Sequence, residues 1–241
     1  MTNVLDRFES LLRAKNLDDL YGSTRQVARE LGFEEFMHGM RVSASLNEPA
    51  QFVLRGSQTA WQDHYQAKGY DRVDPVISHC AKHSVPITWD DQLFAKPQAA
   101  KVYRDARDFG LVSGVTFPIH GPGVEVALLS LVSARPVGHT TPDLAVLFAQ
   151  GHLFACYLHE AIQNLAVRSA QAPANQKSLT EREKQCLLWA AVGKTSWEIA
   201  KILNISERTT VFHFTNAAVK LGAVNRRQAV VRAIALGFIN P

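Results

Sequence analysis

The chain has 241 residues, 46% hydrophobic and 20% charged, which suffices for the core of one large domain or two ordinary ones. No apolar run reaches the roughly 18 residues of a membrane span, and the opening MTNVLDRFESLLRAKN mixes charges into its apolar positions, which argues against a signal peptide. Cys80, Cys156 and Cys186 are odd in number and lack CxxC spacing, so a reducing, cytoplasmic setting without disulfides is expected.

VLDRFESLLRA and DDLYGSTRQVARELG carry apolar residues at three-four spacing and predict two amphipathic helices, the second ending at Gly32. FMHGMRVSA and AQFVLRG predict strands; AWQDHYQAKGYD and PVISHCAKHS predict short helices. QAAKVYRDARDFG predicts a helix stopped by Gly110. In VSGVTFPIHGPGVEVALLSLVSA two apolar, β-branched runs flank His120-Gly121-Pro122-Gly123, the pattern of a hairpin. TPDLAVLFAQGHLFACYLHEAIQNLA predicts a long helix from Thr141-Pro142, apolar on more than one face, for burial or for a dimer seam. Helices before and after an antiparallel sheet predict an α+β fold, an α/β/α sandwich, for residues 1–165. AVRSAQAPANQKS, residues 166–178, has a proline, small polar residues and no hydrophobic period; it predicts a linker, with a second domain over 179–241.

Charge divides along the same seam. From residue 171 on, ten Lys and Arg face four Asp and Glu, whereas residues 1–170 carry sixteen against eighteen. A small basic module on a mildly acidic body is the footprint of nucleic-acid binding, with a merely solvated basic face as the plain alternative. The punctuation of this module is explicit. Thr180-x-x-Glu183 and Thr195-x-x-Glu198 are capping boxes, Gly193 stops the first helix, Asn204 ends the second, Ser206 caps a third, and RRQAVVRAIAL predicts a fourth ending at Gly237. Two short helices joined by the tight LNIS turn predict an all-α, four-helix domain containing a helix-turn-helix.

The segment LTEREKQCLLWAAVGKTSWEIAKILNISERTTVFHFTNAAVKLGAVNRRQAVVRAIALGFI resembles the LuxR-type (GerE) DNA-binding domain over its full length. The matching marks are Glu183, Leu187, Gly193-Lys194-Thr195, Glu198-Ile199-Ala200, Ile205-Ser206, Thr209, His213, Lys220-Leu221 and Asn225. Helical spacing sends Thr210, Phe214, Ala217 and Leu221 inward. Val211, Thr215 and Ala218 then face the major groove, with Phe212 and Asn216 beside them. Base reading is expected from Thr209, Thr215 and Asn216, with Val211 or Phe212 on thymine methyls. Lys194, Thr195, Arg208, Lys220, Arg226 and Arg227 sit near ends and turns, where phosphate contacts give affinity and register. The family commonly has an apolar residue where Thr210 stands and Lys, Arg or Asn where Val211 stands, so the polarities are reversed here.

Upstream, AWQDHYQAKGYDRVDPVISHC, ITWDDQLF and ARDFGLVSGVTFPIHG are similar to the autoinducer-binding domain of LuxR-type quorum-sensing regulators, nearest to the LasR-like branch. Trp61, Tyr65, Asp74, Pro75, Trp89 and Gly114 match the family positions. The resemblance implies an N-acyl-homoserine lactone ligand and no cofactor. Trp61 offers an indole N–H to the lactone carbonyl, Asp74 accepts the amide N–H, and Ser130 donates to the amide carbonyl. Tyr65, Val76, Trp89, Phe94, Leu111 and Thr116 are expected as walls, with Ala127 and Leu128 toward the acyl tail. The family's Tyr-Pro pair ahead of the conserved Trp is replaced by Ser57-Gln58. Cys80 is read as a small buried hydrophobe.

Catalysis is disfavoured: the nine His are scattered, with no HExxH, no Cys/His cluster at zinc spacing and no nucleophile elbow. A phosphorylation-controlled receiver would need an early acidic cluster that the first strand candidates lack. The resulting expectation is ligand-gated transcription: a homodimer binding two half-sites of double-stranded DNA, contacting RNA polymerase if an activator, and using no membrane. The alternative is a solo or antagonist regulator that answers a foreign ligand or sequesters a partner.

Overall fold

A computed structural model describes residues 4–42, 50–55, 59–121, 126–136, 141–170 and 179–241. Most of them fall into two compact units, one of residues 4–40, 52–55, 59–120, 126–136 and 141–170, the other of residues 179–241. None of the described helices is long and apolar enough to cross a membrane.

The first unit runs α1 (Val4–Leu12), α2 (Leu17–Glu30), β1 (Glu35–Val42), β2 (Ala50–Arg55), α3 (Thr59–Ala67), a 3-10 turn (Tyr70–Arg72), α4 (Pro75–Cys80), β3 (Ile87–Thr88), α5 (Pro97–Asp108), β4 (Ser113–His120), β5 (Val126–Ser133) and α6 (Thr141–Ala170). The strands form one sheet in the order β2-β1-β5-β4-β3. Strands β4 and β5 pair antiparallel from Ser113 opposite Ser133 to His120 opposite Val126, as the hairpin pattern predicts. Pro122 and Gly123 of its turn lie outside the described residues. Strand β3 is new relative to the sequence reading; at two residues, paired to Thr116 and Val115, it is too short to show an alternation.

Successive strand residues face opposite sides, and here that rule sorts the whole unit. Val115, Phe117 and Ile119 of β4 and Ala127, Leu129 and Leu131 of β5 pack on one side with Phe8, Leu11, Leu20 and Val27 of α1 and α2 and Phe154, Leu158 and Ile162 of α6. Helix α6 lies very close to the sheet at Gly151, where an added Cβ would stand 2.2 Å from Phe117 Cζ. The intervening residues, including Leu128, Ser130 and Val132, face the layer of α3, α4 and α5. The result is the expected α/β/α sandwich. Helix α6 continues through Ala170, so the first residues of the expected linker are helical; 171–178 lie outside the described residues.

The second unit is α7 (Glu181–Ala191), α8 (Ser196–Leu203), α9 (Glu207–Lys220) and α10 (Arg226–Ala235). Both capping boxes form, Thr180 with Glu183 and Thr195 with Glu198, satisfying backbone N–H groups that a helix start leaves unpaired. Asn204 takes the left-handed conformation, φ 54° and ψ 48°, that closes α8, and Ser206 caps α9 by accepting from Thr209 N. Leu187, Ile199, Phe214, Ala217 and Leu221 make the core, and Ala229 and Ala233 let α10 approach it closely. This is the helix-turn-helix domain that the caps predicted.

Candidate ligand pocket and nucleic-acid interface

Between the sheet and α3, α4 and α5 lies a narrow cavity. Its lining includes Met37, Trp61, Tyr65, Asp74, Val76, Trp89, Phe94, Leu128 and Ser130. Only about 30 Å³ of it is wide enough to seat the centre of a water molecule. The walls are thus nearly in contact, and a drug-sized ligand, needing some 300 Å³ or more, must part them.

Two hydrogen-bonded polar groups border the cavity. Asp74 caps α4, with Pro75 at the first helical position; its Oδ1 accepts from Val76 N at 2.8 Å and its Oδ2 from the Tyr65 hydroxyl at 2.8 Å. Burial raises the Asp74 pKa above its ordinary value, opposed by hydrogen bonds from Tyr65 and from the Val76 and Ile77 amides. The same burial, with the Asp74 charge beside it, pushes the Tyr65 phenol up. Across the cavity Trp89 Nε1 donates to Thr116 Oγ1 at 2.9 Å, and Thr116 Oγ1 meets Ser130 Oγ at 2.9 Å. Opposite strand positions 116 and 130 are register partners, which is why the two hydroxyls touch. Trp89 reaches them because position 114 is glycine: a Cβ there would stand 2.9 Å from the indole.

Seven of the expected positions, Trp61, Tyr65, Asp74, Val76, Trp89, Phe94 and Ser130, therefore line one cavity. Thr116 is fully buried behind the wall as the link between Trp89 and Ser130. Leu111 packs behind Trp61 with Val102 and Val132 and does not reach the space. Ala127 must be corrected. It points to the α6 side, because Leu128, its strand neighbour, lines the cavity and alternation allows only one of the two. The sequence reading missed the α5 wall, Val102, Tyr103 and Ala106; their one-three spacing on an amphipathic helix was the available signal. Cys80 is buried, and that burial pushes its thiol up to about 12, so it packs as a small hydrophobe. Ser57 and Gln58 lie outside the described residues.

On α9, Thr210, Phe214, Ala217 and Leu221 are buried, whereas Val211 is 49% and Phe212 60% exposed. The reversed polarity is accommodated locally: the buried Thr210 hydroxyl donates to Ser206 O at 3.3 Å, inside its own helix. Thr215 likewise donates to Val211 O at 3.0 Å, leaving only its acceptor lone pairs facing out. Asn216 is half-buried on the outer flank, and Thr209 Oγ1 is held at the cap by Ser206 at 2.7 Å.

Two family models match the chain, "Autoinducer binding domain" over residues 16–162 and "Bacterial regulatory proteins, luxR family" over residues 177–233. The chain belongs to the LuxR family. The transcriptional activator protein SolR of Ralstonia nicotianae is 36% identical over 238 residues, 97% of this chain and 98% of SolR. VanR of Vibrio anguillarum, also a transcriptional activator protein, is 34% identical over 93% of this chain and 92% of its own. The crystal structure of Escherichia coli SdiA superposes with a TM-score of 0.80 at 29% identity, covering 98% and 96% of the two chains. SdiA in complex with octanoyl-rac-glycerol gives 0.80 at 27%, covering 99% and 96%. The protein is thus a LuxR-type quorum-sensing transcriptional regulator with an autoinducer-binding and a DNA-binding domain, in a family of regulators and not of enzymes.

Within this LuxR-type DNA-binding domain two of the expected phosphate contacts need correction. Lys220 Nζ lies 2.8 Å from Glu183 Oε2, with side chains 16% and 3% exposed, and this buried pair ties α9 to α7. The Lys220 tie and the Thr180 amide outweigh burial and hold the Glu183 carboxyl below its ordinary value. Arg226 stacks 4.4 Å over the Phe214 ring and donates to Ser196 Oγ and to the Lys194 carbonyl, so it braces the start of α8 against α9. Thr195 spends its hydroxyl on Glu198. Lys194 pairs with Glu198 at 3.2 Å in an exposed contact, which is weak and exchangeable. Arg208 and Arg227 are exposed, as phosphate contacts require.

Proposed function

We propose that this regulator is gated by an N-acyl-homoserine lactone held in the cavity between the sheet and α3–α5. The observation that carries the reading is the pairing of a buried carboxyl acceptor, Asp74, with the Thr116-linked hydroxyl of Ser130 in the lining of one otherwise largely apolar cavity. An acyl amide offers one N–H and one carbonyl; Asp74 suits the first, Ser130 the second, and the Trp61 indole N–H the lactone carbonyl. Burying the Asp74 carboxyl is costly, and a ligand N–H offsets part of that cost. Ligand binding and opening of the narrow cavity are then one event, which stabilises the folded unit by linkage. The working division is a ligand-binding domain over residues 1–165, a linker over 166–178 and a DNA-binding domain over 179–241, in a cytoplasmic protein.

Homodimerisation through α6 is part of the proposal. Its solvent-facing stripe is Val146, Ala149, Leu153, Cys156 and Glu160, all exposed and spaced at three and four residues. Val146, Ala149, Leu153 and Cys156, apolar and at heptad spacing on an outward face, suit a second copy of the same helix. Two DNA-binding domains then meet two half-sites about one helical turn apart or a multiple of it, and RNA polymerase if the bound dimer activates. On α9, Val211 and Phe212 present apolar surface suited to thymine methyls, flanked on the same helix by Asn216 and the exposed charge of Arg208.

A second reading, an acylglycerol in the same cavity, is favoured by the SdiA–octanoyl-rac-glycerol complex and fits the alternative of a regulator that answers a foreign ligand. Mass spectrometry of ligand co-purified after growth with each compound, with melting shifts across acyl lengths, separates the two. Stabilisation by acyl-homoserine lactones and not by acylglycerol supports the first reading; stabilisation by neither sinks both. On the DNA side, Val211→Asn is expected to change operator preference, and unchanged affinity and preference would remove Val211 from the groove.

A further inference from the structure

Trp61 is enclosed by rings: His64 at 6.0 Å, Tyr65 at 5.6 Å, Tyr70 at 6.3 Å and Phe109 at 5.5 Å between centroids. Rings define a slot but leave an indole free to slide within it, because their contacts are individually weak and only loosely directional. Direction comes from hydrogen bonds: Tyr65 is tied to Asp74 inside the cavity, whereas His64 and Tyr70 are tied outside it. Asp105 on α5 is not part of the lining, yet its Oδ2 accepts from the Tyr70 hydroxyl, from His64 Nε2 at 2.9 Å and from Lys101 Nζ at 3.1 Å. Lys101 also donates to Tyr70 Oη at 2.7 Å. One carboxylate oxygen thereby joins α3, the 3-10 turn and α5, and two of the side chains it holds are rings packed against Trp61.

We propose that Asp105 is a positioning residue for ligand selection: through His64 and Tyr70 it fixes the Trp61 ring in the cavity wall and so sets discrimination at the ligand's head. The tie of Tyr65 to Asp74 is the other carboxylate anchor of α3, and it lies inside the cavity where a bound amide competes for the same oxygens. The Asp105 anchor is unaffected by occupancy, so α3 stays registered on α5 whether or not Asp74 changes partners. Asp105 is suited to a constant anchor. The Tyr70 and His64 hydrogen bonds hold its carboxyl far below the usual range, with Lys101 reinforcing them against partial burial, and it stays charged throughout the physiological range. The selection part of the inference rests on the lactone reading; the positioning part does not.

The test uses the full-length protein labelled with 5-fluorotryptophan, in which the four Trp give separate ¹⁹F signals and Trp61→Phe assigns the one from Trp61. In Asp105→Asn without ligand the Trp61 signal is expected to move or broaden, while the Trp89 signal, tied to Thr116, stays in place. Asp105→Glu is expected to restore it. Tyr70→Phe, which leaves the Asp105–His64 bond, is expected to show a smaller change and carries the test if Asp105→Asn does not fold. A Trp61 signal unmoved in the folded variants overturns the positioning role, whatever the ligand. For selection, Asp105→Asn is expected to lose about tenfold in affinity for an N-acyl-homoserine lactone, the scale of one lost hydrogen bond, and under twofold for an N-alkyl amide of equal acyl length that lacks the ring. Equal losses for both ligands overturn the selection role. Wild-type protein that binds both equally refutes the lactone reading, and the selection role with it, while the ¹⁹F result still decides the positioning role.

Discussion

The two faces of the central sheet are made by the same two strands, yet they are built for different ends. On the α6 side, Val115, Phe117, Leu129 and Leu131 are fully buried among aromatic and aliphatic side chains, and the backbone of Gly151 rests on Phe117 with no room for a methyl group. One residue along each strand, Gly114, Thr116, Leu128 and Ser130 face hydroxyls, an indole N–H and a carboxylate around a cavity whose walls nearly touch. Packing on the first face sets whether the domain folds; spacing on the second sets what it answers to. A β-strand carries both duties because its period of two keeps them on separate sides.

The strongest break of this contrast is at Gly151. Gly151→Val places branched carbon where an added Cβ alone would stand 2.2 Å from Phe117 Cζ, and overpacking of that kind costs about 3 kcal/mol or more. Soluble yield and the urea midpoint are expected to collapse, with no rescue by ligand. Adjacent residues on β5 give the next test. Leu129→Ala in the closed face is expected to lose about 3 kcal/mol in urea unfolding, whereas Leu128→Ala, already bordering space, loses about half that and shifts ligand preference toward longer acyl chains. Equal losses at both positions would show that the cavity face is packed as tightly as the other.

His38 is the exception on the closed face. It is fully buried on β1, 5.8 Å from the ring of His159, with no hydrogen-bond partner at either ring nitrogen. Burial, then the charge of His159, lowers its pKa to about 3. The folded state therefore holds it neutral, and its contribution to stability is intact above the unfolded value near 6.5 and is lost as pH falls toward 3. About 2 kcal/mol should disappear between pH 6.5 and pH 5, and His38→Met should flatten that part of the melting profile. A profile unchanged by the substitution would place the acid sensitivity elsewhere.

Helix boundaries were legible because their signals are local. Thr180 with Glu183, Thr195 with Glu198, Asn204 and Ser206 act within a few residues of themselves, and each does what its position implies. The chemistry of Trp61, Asp74 and Ser130 was legible from residue type once the family pattern placed them together. Long-range partners were not. Lys220 reads as a free cation until Glu183, 37 positions away, is found beneath it, and Arg226 reads the same way until it is seen lying on Phe214. The charge survives in the sequence while its availability is decided by tertiary packing. Ala127 shows the converse: strand parity alone excludes having it and Leu128 on one side of the sheet.

The smallest expected effect on stability separates the faces most cleanly. Ser130→Ala removes one hydroxyl from the cavity wall and leaves Thr116 Oγ1 still accepting from Trp89 Nε1, so the buried indole keeps its partner. Without ligand the loss in unfolding free energy should stay within about 1 kcal/mol, the net value of a single neutral hydrogen bond. With ligand, the hydroxyl that completes the amide carbonyl is gone, and the melting shift at a fixed lactone concentration should shrink as expected for about a tenfold weaker complex. Thr116→Val is the control that locates the effect. It keeps Ser130 but strips the indole of its acceptor and the hydroxyl of its guide, so apo stability should fall further than in Ser130→Ala while ligand response falls alike. If the two variants lose the same apo stability, the Trp89–Thr116–Ser130 chain does not act as a connected unit, and Ser130 holds its position without it.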